Sequence, residues 1–257
     1  MSDRLPMVDA DVLAVAMTCA DELVAAGARA VLLVGSHARG DAHAESDIDL
    51  HVIGDGPDYR LVRREPFLVS ISWRTEEQHR ASFDDIEAVG GAIPAWRSAR
   101  ILHDRHSVAA ALQREARAWT WESIGDERLN TFVADAVHGY AEEVHKLVAA
   151  RQTGRQTTAA VQRSILALRL AFPLAVHYRL LFDTENVLWD QVNDAMGREW
   201  TEAQRTALGI TGAAFDSTCD AALRMFALAC DAVLEHMADD QRAVTRHALI
   251  AAGFPDL

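Results

Sequence analysis

The sequence predicts an α+β fold in which a strand-and-helix segment is followed by an all-helical one. Two observations carry this. Period-two alternation and short β-branched runs are concentrated before residue 105, whereas helical spacing with glycine stops fills the remainder. The 257 residues suffice for two domains, and the change of pattern places them at 1–104 and 105–257.

Residues 9–26 place Val12, Leu13, Val15, Ala16, Leu23 and Val24 at helical spacing, with Gly27 as the stop. Ala30 to Val34 is an apolar strand running into Gly35 and Ser36. In residues 48–53, Ile48, Leu50 and Val52 alternate with Asp49 and His51, so one face of this strand is polar. Residues 67–73 alternate again, with Leu68, Ser70 and Ser72 opposite Phe67, Val69, Ile71 and Trp73. A helix over 75–89 opens on a Thr75–Gln78 capping box, and 99–103 is a further short strand. Helices are then expected over 107–122, 127–152, 157–182, 186–196, 201–209 and 213–238, with Pro173 kinking or splitting the third.

Half the residues are apolar and a quarter are charged, which excludes disordered and fibrous classes. The net charge of −13 argues against a polymeric nucleic-acid partner but not against a small nucleotide whose charge a metal neutralises. Such a field also attracts a cationic small molecule. Cys19, Cys219 and Cys230 form no CxxC pair and read as reduced thiols. No signal-like apolar run opens the chain. The longest apolar stretches, near 161–182 and 221–234, are interrupted by arginines and an aspartate, so a cytoplasmic protein without a membrane span is expected.

The segment GSHARGDAHAESDIDL, residues 35–50, carries the chemistry. Gly35 permits close backbone approach to a phosphate, Ser36 adds a hydroxyl at a helix start, and Arg39 offers a planar donor fork. Asp47 and Asp49 lie two apart on a strand, so both carboxylates project from one face, as a Mg²⁺ ion shared with a triphosphate requires. There is no GxxxxGK[ST] and no GxGxxG.

Gly-Ser, a short spacer and Asp-x-Asp resemble the signature of the DNA polymerase beta-type nucleotidyltransferase superfamily. A small nucleotidyltransferase domain with a mixed sheet flanked by helices, followed by a helical-bundle substrate domain, is similar to the aminoglycoside (kanamycin) nucleotidyltransferases. The resemblance implies transfer of a nucleoside monophosphate, AMP from ATP, to a hydroxyl of a small aminoglycoside-type antibiotic, with Mg²⁺ on Asp47 and Asp49 and pyrophosphate released. It also implies a homodimer. Lys146, the only lysine, follows Glu142 by four residues. By resemblance Glu142 is the general base and Lys146 a cation at the α-phosphate; by spacing alone they form a solvated i,i+4 ion pair, and Glu143 is equally a candidate for the outward-facing acid.

One departure stands out. Relatives carry a third carboxylate on the strand after Asp-x-Asp, and here Ser70 holds that position. Three consequences are open: two carboxylates suffice, another acid such as Glu65 or Glu76 reaches in, or the chain is a catalytically degraded nucleotide-binding module. A protein adenylyltransferase is a further alternative, against which the long helical segment counts. His103 with His106, and His138 with His145, are spaced for a shared environment but read as ordinary histidines, and the six tryptophans read as core.

Overall fold

The computed structural model describes residues 8–255, which separate after Ser123 into two compact units.

In the first unit, α1 (Ala10–Ala25) is capped by Asp9, whose carboxylate accepts from the amides of Asp11 at 2.8 Å and Val12 at 3.4 Å. Its buried stripe of Val12, Ala16, Cys19, Ala20 and Leu23 packs on the sheet. The strands are β1 (Ala30–Val34), β2 (Ile48–Ile53), β3 (Tyr59–Arg64), β4 (Phe67–Arg74) and β5 (Arg100–Asp104), in the order β3-β4-β2-β1-β5. β2 and β4 run parallel and every other pair is antiparallel, so the sheet is mixed. All five residues of β1 are buried, because both of its faces are covered. Ile48, Leu50 and Val52 of β2 join Val69, Ile71 and Trp73 of β4 under α1, which turns Asp49, His51, Ser70 and Ser72 to the other face.

The sequence reading passed over β3. Its run YRLVRR holds three arginines, which the sheet tolerates because β3 is an edge strand paired only to β4. The single helix expected over 75–89 is two, α2 aside: α2 is the short turn Gly35–Arg39, and the pair is α3 (Glu76–Ala81) and α4 (Ile86–Ser98). The Thr75–Gln78 capping box opens α3, the Ser82 hydroxyl donates to the His79 carbonyl at 2.6 Å where it ends, and Asp85 caps α4. α5 (Val108–Ala118) belongs to this unit, beyond the change of pattern near residue 104. Asp104 accepts from the Ala109 and Ala110 amides, and the Gln113 amide donates to the carbonyls of Trp96 and Ala99.

The second unit is helical: α6 (Asp126–Gly139), α7 (Ala141–Gln152), α8 (Gln156–Arg169), α9 (Ala171–His177), α10 (Glu185–Met196), α11 (Arg198–Ala207), α12 (Phe215–Val233) and α13 (Asp239–Ala251). α12 supplies its centre, with Cys219, Ala222, Met225, Phe226, Ala229 and Val233 buried. The chain breaks between α8 and α9 at Leu170, three residues before Pro173, whose ring excludes a continuous helix there. The stretch Gln156–His177 is long and apolar enough to cross a membrane by length and composition, which the arginine count had not led us to expect. Half of it is packed inside the unit, as for a core helix. α13, unforeseen from sequence, closes the unit.

Candidate functional site

The bend after β1 is shaped around one carboxylate. Gly35 has φ +70°, a left-handed conformation that favours glycine, and a Cβ built there would lie 2.2 Å from Oδ2 of Asp49. Register explains the contact: Asp49 is paired to Val34 on β1 and to Ser70 on β4. The Ser70 hydroxyl donates to Asp49 Oδ1 at 2.6 Å. One oxygen is thus held by a serine and the other lies against the glycine backbone.

Burial pushes the Asp49 carboxyl above the usual carboxylate range. The Ser70 hydrogen bond opposes this, the charge of Asp47 adds to it, and His37 and Arg39 pull it down again. Asp47 precedes β2 by one residue, on the alternation that puts it on the Asp49 side. Asp47 is close enough for its charge to act on Asp49. Ser70, where the resemblance leads one to expect a third acid, is paired with Asp49, buried and bonded to it. Glu65 takes up Arg63, and Glu76 takes up Arg29 and Arg80, so neither is presented as a replacement ligand.

α2 begins at Gly35 with no side-chain cap on its first amides, since its N-cap residue is Val34. The Ser36 carbonyl accepts from the amides of Gly40 and Asp41, whereas its hydroxyl makes no hydrogen bond among the described residues. Arg39 is largely buried and donates from Nε to Asp41 at 3.1 Å. Sequence reasoning missed His37, which stands edge-on to Phe67 with its Nε2 3.4 Å from the Ser46 carbonyl. His37, Gly40, His43 and Phe67 line a cavity of about 390 Å³ beside the loop that leads to Asp47.

Glu142 and Lys146 lie on α7 in the second unit. Lys146 Nζ is 2.7 Å from Glu142 and 3.7 Å from Glu143. Of the two acids, Glu142 is the outward one, 71% exposed against 19% for Glu143. Its hydrogen bond to Lys146 lowers the Glu142 pKa and raises that of Lys146. His145 on the same helix stacks on His247 at 5.0 Å.

Among the described residues, no group of three or more His, Cys, Asp or Glu side chains is placed to hold a metal. All three cysteines are free and buried, as are Trp73, Trp96, Trp119, Trp121 and Trp200. The donor set of Asp47 and Asp49 fits a divalent cation that takes its remaining ligands from a bound triphosphate and water. Two hard anionic oxygen donors share a face, and burial together with the neighbouring charge disfavours the ionised Asp49 until a cation is near.

Residues 18–106 match the family of nucleotidyltransferase domains. The matched stretch spans β1 to β5 and contains Gly35, Ser36, Arg39, Asp47, Asp49 and Ser70. It bears on nucleotidyl transfer in general and not on the acceptor. No curated protein matches the chain. Among solved structures the chain is similar to a nucleotidyltransferase-like protein from Exiguobacterium sibiricum, at 13% identity and a TM-score of 0.49, over 94% of this chain and 77% of that one.

Proposed function

We propose that this chain, with a nucleotidyltransferase domain match over its first unit, transfers a nucleoside monophosphate from an NTP to a hydroxyl of a small molecule. The observation that carries the reading is the Asp49 carboxylate set between the Gly35 backbone and the Ser70 hydroxyl, with Asp47 beside it.

Asp47 and Asp49 would hold Mg²⁺, which when bound neutralises the triphosphate and polarises its oxygens. The chain's own groups do the rest. The uncapped α2 amides and the Ser36 hydroxyl bind the terminal phosphates, with Arg39 charge behind them. Ser70 fixes the Asp49 rotamer, which keeps that oxygen pair oriented. By the family resemblance Glu142, whose carboxyl the Lys146 hydrogen bond keeps below its usual range, is the general base and Lys146 the cation at the phosphate. ATP as donor, an aminoglycoside-type acceptor and a homodimer follow from the family resemblance, and a polymeric nucleic acid is not the partner of so acidic a chain.

A second reading, a nucleotide-binding module without transfer, is favoured by one observation: Ser70 in the third-acid position. Pyrophosphate release from Mg·NTP, screened over small hydroxylated acceptors, separates the two. Transfer by the native chain that disappears in Asp49→Asn supports the enzyme. Tight Mg·nucleotide binding with no release for any acceptor supports the module, and full release from Asp49→Asn removes the assignment of Asp49.

A further inference from the structure

The turn that opens at Gly35 cannot hold its own shape. α2 has five residues, and a single helical turn fixes more backbone than its own hydrogen bonds repay. Its position therefore depends on what grips it from outside. The Ala38 side chain is fully buried in the core on the α1 side of the sheet. The Ala38 carbonyl, one of those a helix end leaves without a partner inside the helix, accepts from Arg100 Nε at 3.0 Å. Arg100 is half-buried and lies 62 residues further along the chain, on β5.

A slip in the β1–β5 register aims Arg100 at that carbonyl. Asp104 pairs with Ala30 and His103 with Val31, and after the slip Ile101 pairs with Leu32 and Arg100 with Leu33. Leu102 is the extra residue of this bulge, and it packs on the α1-side core. Paired residues in neighbouring strands turn their side chains to one face, with Cβ atoms about 5 Å apart. Leu33 and Ala38 both belong to the α1-side core, so the slip puts Arg100 on the face where Ala38 lies. Without it, alternation would pair Arg100 with Val34 and turn it to the face that carries Asp49. A charged donor on a carbonyl is a stronger tie than a neutral one.

We infer that Arg100 is a positioning residue of the donor site: through the Ala38 carbonyl it holds the Gly35–Arg39 turn where Gly35 lies against Asp49 and Ser36 meets the terminal phosphates. This rests on the nucleotidyltransferase reading and adds to it a residue from outside the Gly-Ser and Asp-x-Asp segment. Arg100 acts through the turn and not on the phosphates. Its removal therefore costs nucleotide affinity in proportion to what the turn's own groups, the Ser36 hydroxyl among them, contribute to binding.

The test measures calorimetric binding of Mg·α,β-methylene-ATP to the full chain as native protein, Arg100→Met, Arg100→Lys, Ser36→Ala and Arg100→Met/Ser36→Ala. Methionine keeps the apolar stem on this edge strand while removing the donor. Arg100→Met should weaken binding about tenfold, as loss of one charged hydrogen bond does. Arg100→Lys, which still donates, should bind as the native chain does. The Arg100→Met loss should shrink in the Ser36→Ala background, because both act through one turn. Hydrogen exchange adds a measurement that needs no nucleotide. The Gly40 and Asp41 amides, bonded to the Ser36 carbonyl, should exchange faster in Arg100→Met while the amides of β1 and β2 stay protected. Native affinity in Arg100→Met, an equal loss in Arg100→Lys, the same loss with and without the Ser36 hydroxyl, unchanged exchange at Gly40 and Asp41, or protection lost throughout the sheet overturns the role of Arg100 and leaves the nucleotide reading intact. Failure of the native chain to bind Mg·α,β-methylene-ATP overturns the nucleotide reading itself.

Discussion

Replacing Gly35 with alanine puts the tightest contact of the site to a quantitative test. At φ +70° an alanine carries a left-handed backbone cost of about 1–2 kcal/mol. Its Cβ would meet Asp49 Oδ2 at 2.2 Å, so the carboxylate must move. Moving it gives up the Ser70 hydrogen bond, a contact to a charged group of about 1.5–3 kcal/mol. Release of Asp49 from a buried place offsets part of that loss, since burial disfavours its charge. The expected net cost is about 2–4 kcal/mol. In an Asp49→Ala background the collision is gone and the backbone cost of about 1–2 kcal/mol remains. Urea unfolding of the four proteins, with unchanged m-values, should give a coupling of about 1–2 kcal/mol between the two positions. An equal cost of Gly35→Ala in both backgrounds would refute the reasoning.

Asp49→Asn should abolish transfer yet leave the fold as stable or more stable at pH 7. The folded pKa of Asp49 is raised, so its contribution favours folding below the ordinary carboxylate range and is lost as pH rises through the folded value; at neutrality its charge is a cost. A lower melting temperature for the variant at pH 7 would contradict this. Ser70→Ala removes the hydrogen bond that holds the Asp49 pKa down, so the acidic limb of the pH–rate profile should move to higher pH. An unmoved limb would separate Ser70 from the ionisation of Asp49. His51 and His79, stacked at 5.8 Å, have pKa values lowered to about 4 and about 3, first by burial. Both stay neutral in the fold while the unfolded chain takes up protons below about pH 6.5, so stability is lost as pH falls from there towards 4. His79→Phe should flatten that loss in urea midpoints taken from pH 7 to pH 4.5, and an unchanged slope would assign the acid sensitivity elsewhere. Glu142→Gln should slow transfer about 10²–10⁴-fold without moving the melting temperature, because the side chain is exposed; an unaltered rate would strip Glu142 of the role of base.

The strands that build the site were legible because burial on one face leaves a period of two. Residues 30–34 and 48–53 form strands over those same residues, and the 67–73 alternation becomes β4 with one residue more. The Asp47–Asp49 pair and its Ser70 neighbour followed from that alternation once the register was known. β3 was hidden because an edge strand needs no buried face, and its arginines erased the pattern that the reading relied on. The long helical expectations over 75–89 and 127–152 ran across breaks made by local hydrogen bonding. Asp85 capping at one, and the turn at Tyr140 between α6 and α7 at the other, leave little mark on hydrophobic spacing. The Gly35 contact was invisible for a different reason: a glycine in a bend states that a side chain is unwelcome without stating which neighbour excludes it.

The placement of β3 and β4 as a border hairpin has an evolutionary corollary. Their joint attachment to the remaining strands runs through the single β2–β4 seam, whereas the Gly35 bend lies across β2 on β1. Changes within residues 59–68 therefore act at the sheet's border and leave the Gly35 bend and its contact with Asp49 in place.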